Sequence, residues 1–341
     1  MEYRPLGRTG VHVSQLTLGA MMFGAFGNAD HDDSIRIIHA ALDAGINFID
    51  TADFYSAGES EEIVGKALKG RRDDVVLATK VGLPFGEEPN HRGTSRRWIT
   101  RSVEDSLRRL DTDWIDLYQV HRLDPTTDID ETLGVLSDLV HAGKIRAFGA
   151  STVPASQIVE AQWVAERRGR ERFRTEQPPY SLLNRGIEHD VLPTTQRYGM
   201  GVLVYSPLAG GWLSGRYRKG LEIEGPTAAA RQRFAAMYDT SSPANAAKLD
   251  AADALGALAD EAGLTLIQLA IAFVTRHPAV TSAIVGPRTM AHLESYLAAD
   301  GVTLSDELLD RIDAIVPPGV TLNVADNGWT LPTAPERRRS A

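Results

Sequence analysis

Four unlike polar side chains, Asp50, Tyr55, Lys80 and His121, each stand at or just after the end of a short apolar run. Together they could reduce a carbonyl group, which needs a hydride on carbon and a proton on oxygen. Tyrosine can donate that proton, but a free phenol with a pKa of about 10 is a sluggish acid. An adjacent ammonium would stabilise the phenolate and lower that pKa, and a carboxylate beside the ammonium would keep it charged and fixed. A histidine could orient the substrate oxygen by a hydrogen bond. No step of this chemistry requires a metal. Each residue alone is weak evidence: a strand-end aspartate caps turns, a lysine is solvated, a histidine is structural and a tyrosine packs. The set carries meaning only if all four open into one mouth.

The elements around them supply such a mouth. Short β-branched runs alternate with longer amphipathic stretches, the pattern of parallel βαβ units. Strands are expected at 16–18, 46–50, 75–79, 114–120, 145–149, 173–177, 201–205 and 282–285. Helices are expected at 32–44, 59–69, from a cap at Ser95, at 129–140 and at 156–168. Eight β/α units predict one closed (β/α)8 TIM barrel over residues 1–341, with its active site at the carboxyl ends of the strands. Asp50 then closes the second strand, Tyr55 follows in the next loop, Lys80 closes the third strand and His121 the fourth. The longest irregular stretch, 216–245, contains Gly220, Gly225, Pro226, Ser241, Ser242 and Pro243 and is expected to act as a lid. Residues 330–341 are expected to be a flexible tail.

Bulk properties narrow the function class. The 341 residues carry a formal charge of −9, which argues against a nucleic-acid binder. Arg337, Arg338 and Arg339 form a short run in a Pro-rich tail and read as solvated. There is no cysteine, so disulfides, thiol nucleophiles and Cys-based metal sites are excluded. Met1-Glu2-Tyr3-Arg4-Pro5 has no apolar stretch after a basic start, so a signal peptide is not expected, and no apolar run approaches the roughly 20 residues of a membrane span. A cytoplasmic enzyme acting on a small molecule, without membrane or nucleic-acid partners, is the expectation. The sequence sets no oligomeric state.

The segment Phe48-Ile49-Asp50-Thr51-Ala52-Asp53-Phe54-Tyr55, followed by Glu59, resembles the signature of the aldo-keto reductases. Lys80 and His121 fall where that family has its other two catalytic residues, and the resemblance runs from about Tyr3 to about Ile315. It implies NADPH (NADP+) as cofactor and a carbonyl substrate. Gly149-Ala150-Ser151-Thr152 and Glu176-Gln177 resemble the segments that hold the nicotinamide carboxamide. Tyr205-Ser206-Pro207-Leu208 resembles the turn whose tyrosine stacks on the nicotinamide. Gly210-Gly211-Trp212-Leu213-Ser214-Gly215, with Arg216 after it, resembles the loop over the pyrophosphate. Gly286-Pro287-Arg288 resembles the segment near the ribose phosphate, where Arg288, Arg216 and Arg231 would favour NADPH. Many relatives carry Gln or Arg, an acidic residue and Asn after that arginine; this sequence has His292, Ser295 and Tyr296. Absence of a G-x-G-x-x-G motif is expected of a barrel.

Three other readings compete. Paired carboxylates such as Asp50 and Glu176 would suit a glycoside hydrolase on the same fold. The sequence also resembles the NADPH-binding β subunits of potassium channels, through Ser206-Pro207-Leu208 and Ser214-Gly215, which implies a regulatory subunit without turnover. A dedicated nucleotide-keto-deoxysugar reductase is the third. Phe23, Phe54, Phe85, Trp212 and Trp329 are the aromatic residues expected to face substrate, and they suit sugars and aryl aldehydes equally.

Overall fold

The computed structural model describes residues 1–220 and 235–328. Strands β1 (Tyr3–Pro5) and β2 (His12–Ser14) pair antiparallel as a hairpin that the sequence reading did not anticipate. Eight parallel strands follow: β3 (Leu16–Gly19), β4 (Phe48–Asp50), β5 (Val76–Val81), β6 (Ile115–Val120), β7 (Ile145–Ser151), β8 (Thr175–Gln177), β9 (Gly201–Val204) and β10 (Ser282–Val285). They pair in chain order, and β10 returns to β3 to close a barrel. The expected (β/α)8 barrel is therefore present, with strand ends shifted by one or two residues. Both faces of these strands are covered, so they read as near-continuous apolar runs.

Helices α1 (His31–Asp43), α2 (Glu59–Ala67), α3 (Arg96–Leu110), α4 (Ile129–His141), α5 (Ala155–Arg168) and α6 (Val191–Tyr198) alternate with the strands. Ser95 caps α3 as expected, accepting from the Trp98 N–H. After the short helix α7 (Ala235–Tyr238) come α8 (Pro243–Glu261), α9 (Leu266–Arg276), α10 (Met290–Leu297) and α11 (Asp306–Ile315). The expected irregular stretch therefore ends earlier than 245. Ser242 is an N-cap, accepting from Asn245 N, and Pro243 sits in the first helical turn, where its missing N–H is not needed. The segment 221–234 and the tail from Trp329, with Arg231 and the 330–341 expectation, lie outside the described residues. No single helix among the described residues is long and apolar enough to cross a membrane.

Two apolar layers result. The larger lies between strands and helices. The smaller fills the barrel with Phe48, Ala78, Leu117, Leu203 and Ile284, and Leu6 and Val13 of the hairpin pack beneath them. Gly7 brings the hairpin against the start of β9: a Cβ there would fall 2.5 Å from Gly201 N. The floor is thus sealed, and the opposite end is left for polar groups.

Candidate active site

Side chains alternate along a strand, so residues two apart share a face. Asp50 stands two residues above the inward Phe48, Lys80 two above Ala78, and Gln119 two above Leu117. His121 N–H donates to Val81 O at 2.8 Å, which extends the β5–β6 ladder by one residue. Asp50, Lys80 and His121 are all buried, and Tyr55 is half-buried. Lys80 Nζ donates to Asp50 Oδ1, to Thr51 O at 2.9 Å and to Tyr55 Oη at 3.1 Å. An ammonium has three donors and no acceptor. All three are used, so Tyr55 accepts from Lys80 and keeps its own proton free. The Tyr55 and His121 rings meet edge to face with centroids 5.8 Å apart. The four predicted residues are therefore brought together.

Gln119 was not singled out from sequence. Its Nε2 donates to Asp50 Oδ2 at 2.9 Å, as does Gln177 Nε2 at the same distance. Gln177 Nε2 also donates to Gln119 Oε1 at 3.2 Å. The signal was its spacing from His121: period two places both on the inner face.

Burial pushes the Tyr55 phenol up, and Lys80 pulls it down against a smaller upward push from Asp50. The net direction is up, which corrects the expectation of a lowered tyrosine. Desolvation of the phenol is the larger effect. Burial alone would lower Lys80, but Asp50 and Tyr55 together raise it, so it stays an ammonium. His121 is held well below the usual histidine range by burial, Lys80 and Arg122, so the ring is neutral. Its Nδ1 is buried with no partner among the described residues.

Non-glycine residues at positive φ concentrate around this mouth. Ser56 and Ala57 lie after β4, Thr152 after β7, and Ser206 and Ala209 after β9; among the described residues Asp111 alone belongs to a helix end elsewhere. Such backbone is costly for a β-branched residue like Thr152 (φ 58°) and gathers where a ligand must meet the main chain. Thr152 Oγ1 and Tyr205 Oη are 3.2 Å apart. Ser151 Oγ donates to Gln177 O at 2.9 Å. Leu208, Gly210 and Leu213 form a tight turn, with Leu213 N–H on Leu208 O and the Leu213 side chain buried in the core. Pro207 is buried beside Ser206. Tyr238 Oη donates to Gly210 O at 2.9 Å, and Trp212 Nε1 to Met237 O at 3.1 Å. The far arm of the long loop thus rests on that turn.

A third group lies after β10 and Gly286. His292 is lowered by burial and by the nearby Arg216 and Arg288 guanidiniums. Its Nδ1 accepts from Arg288 N at 3.4 Å. Neither guanidinium is paired with a carboxylate among the described residues. Ser295 turns its hydroxyl back to His292 O, and Tyr296 stacks on the His292 ring at 6.4 Å.

Several expectations do not survive. Phe23 and Trp212 are fully buried core residues and do not line a substrate site. Trp212 stacks between Tyr217 and Tyr238 instead. Phe54 and Phe85 are half-buried, and Phe54 packs on the exposed Phe26 at 5.9 Å. Trp329 lies outside the described residues. Glu176 does not face Asp50: its strand neighbour Gln177 takes the inner face, and Glu176 Oε1 accepts from Val153 N at 2.8 Å. Burial raises its carboxyl to about 8. The paired-carboxylate reading loses its geometry.

Comparison with known proteins places the chain. A family model described as the Aldo/keto reductase family matches residues 15–317. The uncharacterized oxidoreductase YrpG of Bacillus subtilis is 40% identical over 94% of this chain and 97% of its own. The aldo-keto reductase YhdN of the same organism is 37% identical over 98% and 100%. A probable voltage-gated potassium channel subunit beta of rice is 38% identical over 93% and 97%.

Proposed function

The chain belongs to the aldo/keto reductase family, and from that premise we propose that it is an NADPH-dependent carbonyl reductase with Tyr55 as proton donor. Oxidoreductase chemistry on a small carbonyl compound follows from the family; the cofactor's phosphate and the roles below are the proposal. The observation that carries it is the saturated Lys80 ammonium. Its three bonds to Asp50, Thr51 and Tyr55 leave the phenol proton as the one mobile proton of the group.

The chain's residues suit the cofactor. Arg216 and Arg288, free of carboxylates among the described residues, offer paired donors to a ribose phosphate. Positive-φ backbone at Ser206, Ala209 and Gly210 lets main-chain N–H groups approach a pyrophosphate. NADPH, when bound, supplies the hydride. Tyr55 gives its proton to the carbonyl oxygen, and Lys80 stabilises the phenolate left behind. Asp50 holds Lys80 in place. A neutral His121 with Nδ1 unpartnered carries its proton best on Nε2, which can donate to the substrate oxygen and orient it. Solvent returns the proton to Tyr55.

The name of the rice relative favours a second reading, a β subunit without turnover. One experiment separates them: NADPH oxidation over an aldehyde and ketone panel, with Tyr55→Phe beside wild type and cofactor binding followed by fluorescence. The reductase reading expects wild-type turnover and a fall of about 10²–10⁴-fold in Tyr55→Phe with binding retained. Equal rates in the two proteins would remove Tyr55 from the chemistry. No wild-type turnover on any carbonyl would favour the subunit.

A further inference from the structure

Gln119 on β6 is wholly buried. Its register partners are Lys80 on β5 and Gly149 on β7. A carboxylate oxygen only accepts hydrogen bonds, so both glutamines must present their amide nitrogens to Asp50 Oδ2. That turns Gln119 Oε1 toward Gln177, whose second N–H it accepts at 3.2 Å. The carboxylate therefore fixes both amide orientations. Both N–H groups of Gln177 are used, and its Oε1 is the polar atom left for a ligand. An oxygen there recognises a donor. Strand β7 stands between the two glutamines, and Gly149 puts no side chain in the way. A Cβ at Gly149 would lie 1.9 Å from Thr175 Oγ1, so the position admits only glycine.

We infer that Gln119 is a positioning residue. It locks the Gln177 amide so that its oxygen is offered to the N–H of the nicotinamide carboxamide, and in the same contact holds Asp50 against Lys80. Cofactor recognition and the proton donor are then set by one hydrogen-bonded unit. The inference rests on the Tyr55 reading above. The titratable groups around Gln119 are Asp50 on β4, Lys80 on β5 with Tyr55 beyond it, and His121 at the end of its own strand. Glu176 on β8 faces the other way.

Two substitutions test this. Gln119→Met keeps much of the volume and removes both bonds. Gln119→Glu keeps the shape: protonated, it can donate to Asp50 and accept from Gln177; ionised, it has no donor and repels Asp50. Gln119→Met should lower kcat about 10- to 100-fold with little change in aldehyde KM. In fluorescence titrations, wild type should bind NADP+ more tightly than its 3-acetylpyridine analogue, in which a methyl replaces the amide nitrogen. Gln119→Met should narrow that ratio, by about 3- to 10-fold. Gln119→Glu should work in acid and lose kcat as pH rises toward neutrality, well below the alkaline pH at which wild type fades. The inference is overturned by Gln119→Met with wild-type kcat and analogue ratio, or by Gln119→Glu tracking the wild-type pH profile. If Gln119→Met does not fold, the pH profile of Gln119→Glu decides. Tyr55→Phe runs beside them: a fully active Tyr55→Phe sinks the proton-donor reading, whereas an impaired one beside a normal Gln119→Met sinks only the role given to Gln119.

Discussion

Replacing Lys80 by methionine separates what the buried ammonium does for stability from what it does for chemistry. Methionine keeps an unbranched apolar stem but no donor. Asp50, 2% exposed, would be left with the Gln119 and Gln177 amides and no cation. Removing one side of a buried pair costs about 3–5 kcal/mol, because the other charge stays desolvated. The single variant should be destabilised by about that much in denaturant unfolding followed by tryptophan emission. Lys80→Met with Asp50→Asn carries neither charge and should recover most of the loss. Activity should not recover. Tyr55 is raised by burial, and Lys80 is the strongest influence pulling it back, so both variants lose the group that stabilises the phenolate. Reduction of a reactive aldehyde should fall about 10²–10⁴-fold in each. In wild type, reduction should persist through neutral pH and fade only as pH rises through a tyrosine pKa above its ordinary value, since the protonated form is the donor. A double variant that regains turnover together with stability would refute the chemical role. A single variant as stable as wild type would refute the electrostatic reasoning.

Arg288→Ala should weaken NADPH binding by about 1.5–3 kcal/mol and leave NADH binding nearly unchanged, read by fluorescence titration; equal losses for both cofactors would move the phosphate contact elsewhere. Glu176, raised to about 8, binds a proton in the folded chain that the unfolded chain has lost above its ordinary pKa of 4.5. Stability should therefore fall as pH rises between those values, on the order of 1.4 kcal/mol per unit from this group, and Glu176→Gln should remove that share of the slope in unfolding measured at several pH values. Hydrogen exchange should show added protection in 216–245 on NADPH binding, because Tyr238 and Met237 already rest on the Gly210–Trp212 turn; unchanged exchange there would remove the lid.

The site was legible where chemistry and position coincided. Asp50, Lys80 and His121 each end an apolar run with a group that has no reason to be there, and Tyr55 follows within one loop. Gln119 escaped because an uncharged amide in an apolar strand does not announce itself. Phe23 and Trp212 were misassigned because residue type does not say which side of a loop faces the core. The later helices were passed over for a different reason. Helix α8 is rich in alanine on most of its faces, so its apolar periodicity is weak although its cap, Ser242, and its first-turn proline are plain. The hairpin β1–β2 is three residues a side, too short for alternation to register.

What was missed in the site can be recovered by the strand period alone. Stepping back two residues gives Phe48 from Asp50, Ala78 from Lys80, Leu117 from Gln119 and Leu203 from Tyr205. All four belong to the small apolar cluster inside the barrel. On β4, β5, β6 and β9 the polar tier therefore stands directly on an apolar one, whereas β8 carries the buried Thr175 beneath Gln177. Leu6 and Val13 pack beneath the lower tier. That arrangement explains why Lys80 can be fully buried and still charged: its counter-ion, its backbone acceptor and its phenol are supplied by the neighbouring strand β4 and its loop, at the one level where the barrel changes from apolar to polar. A polar side chain at the second inward level of any strand, Gln119 included, belongs to the same layer as the proton donor.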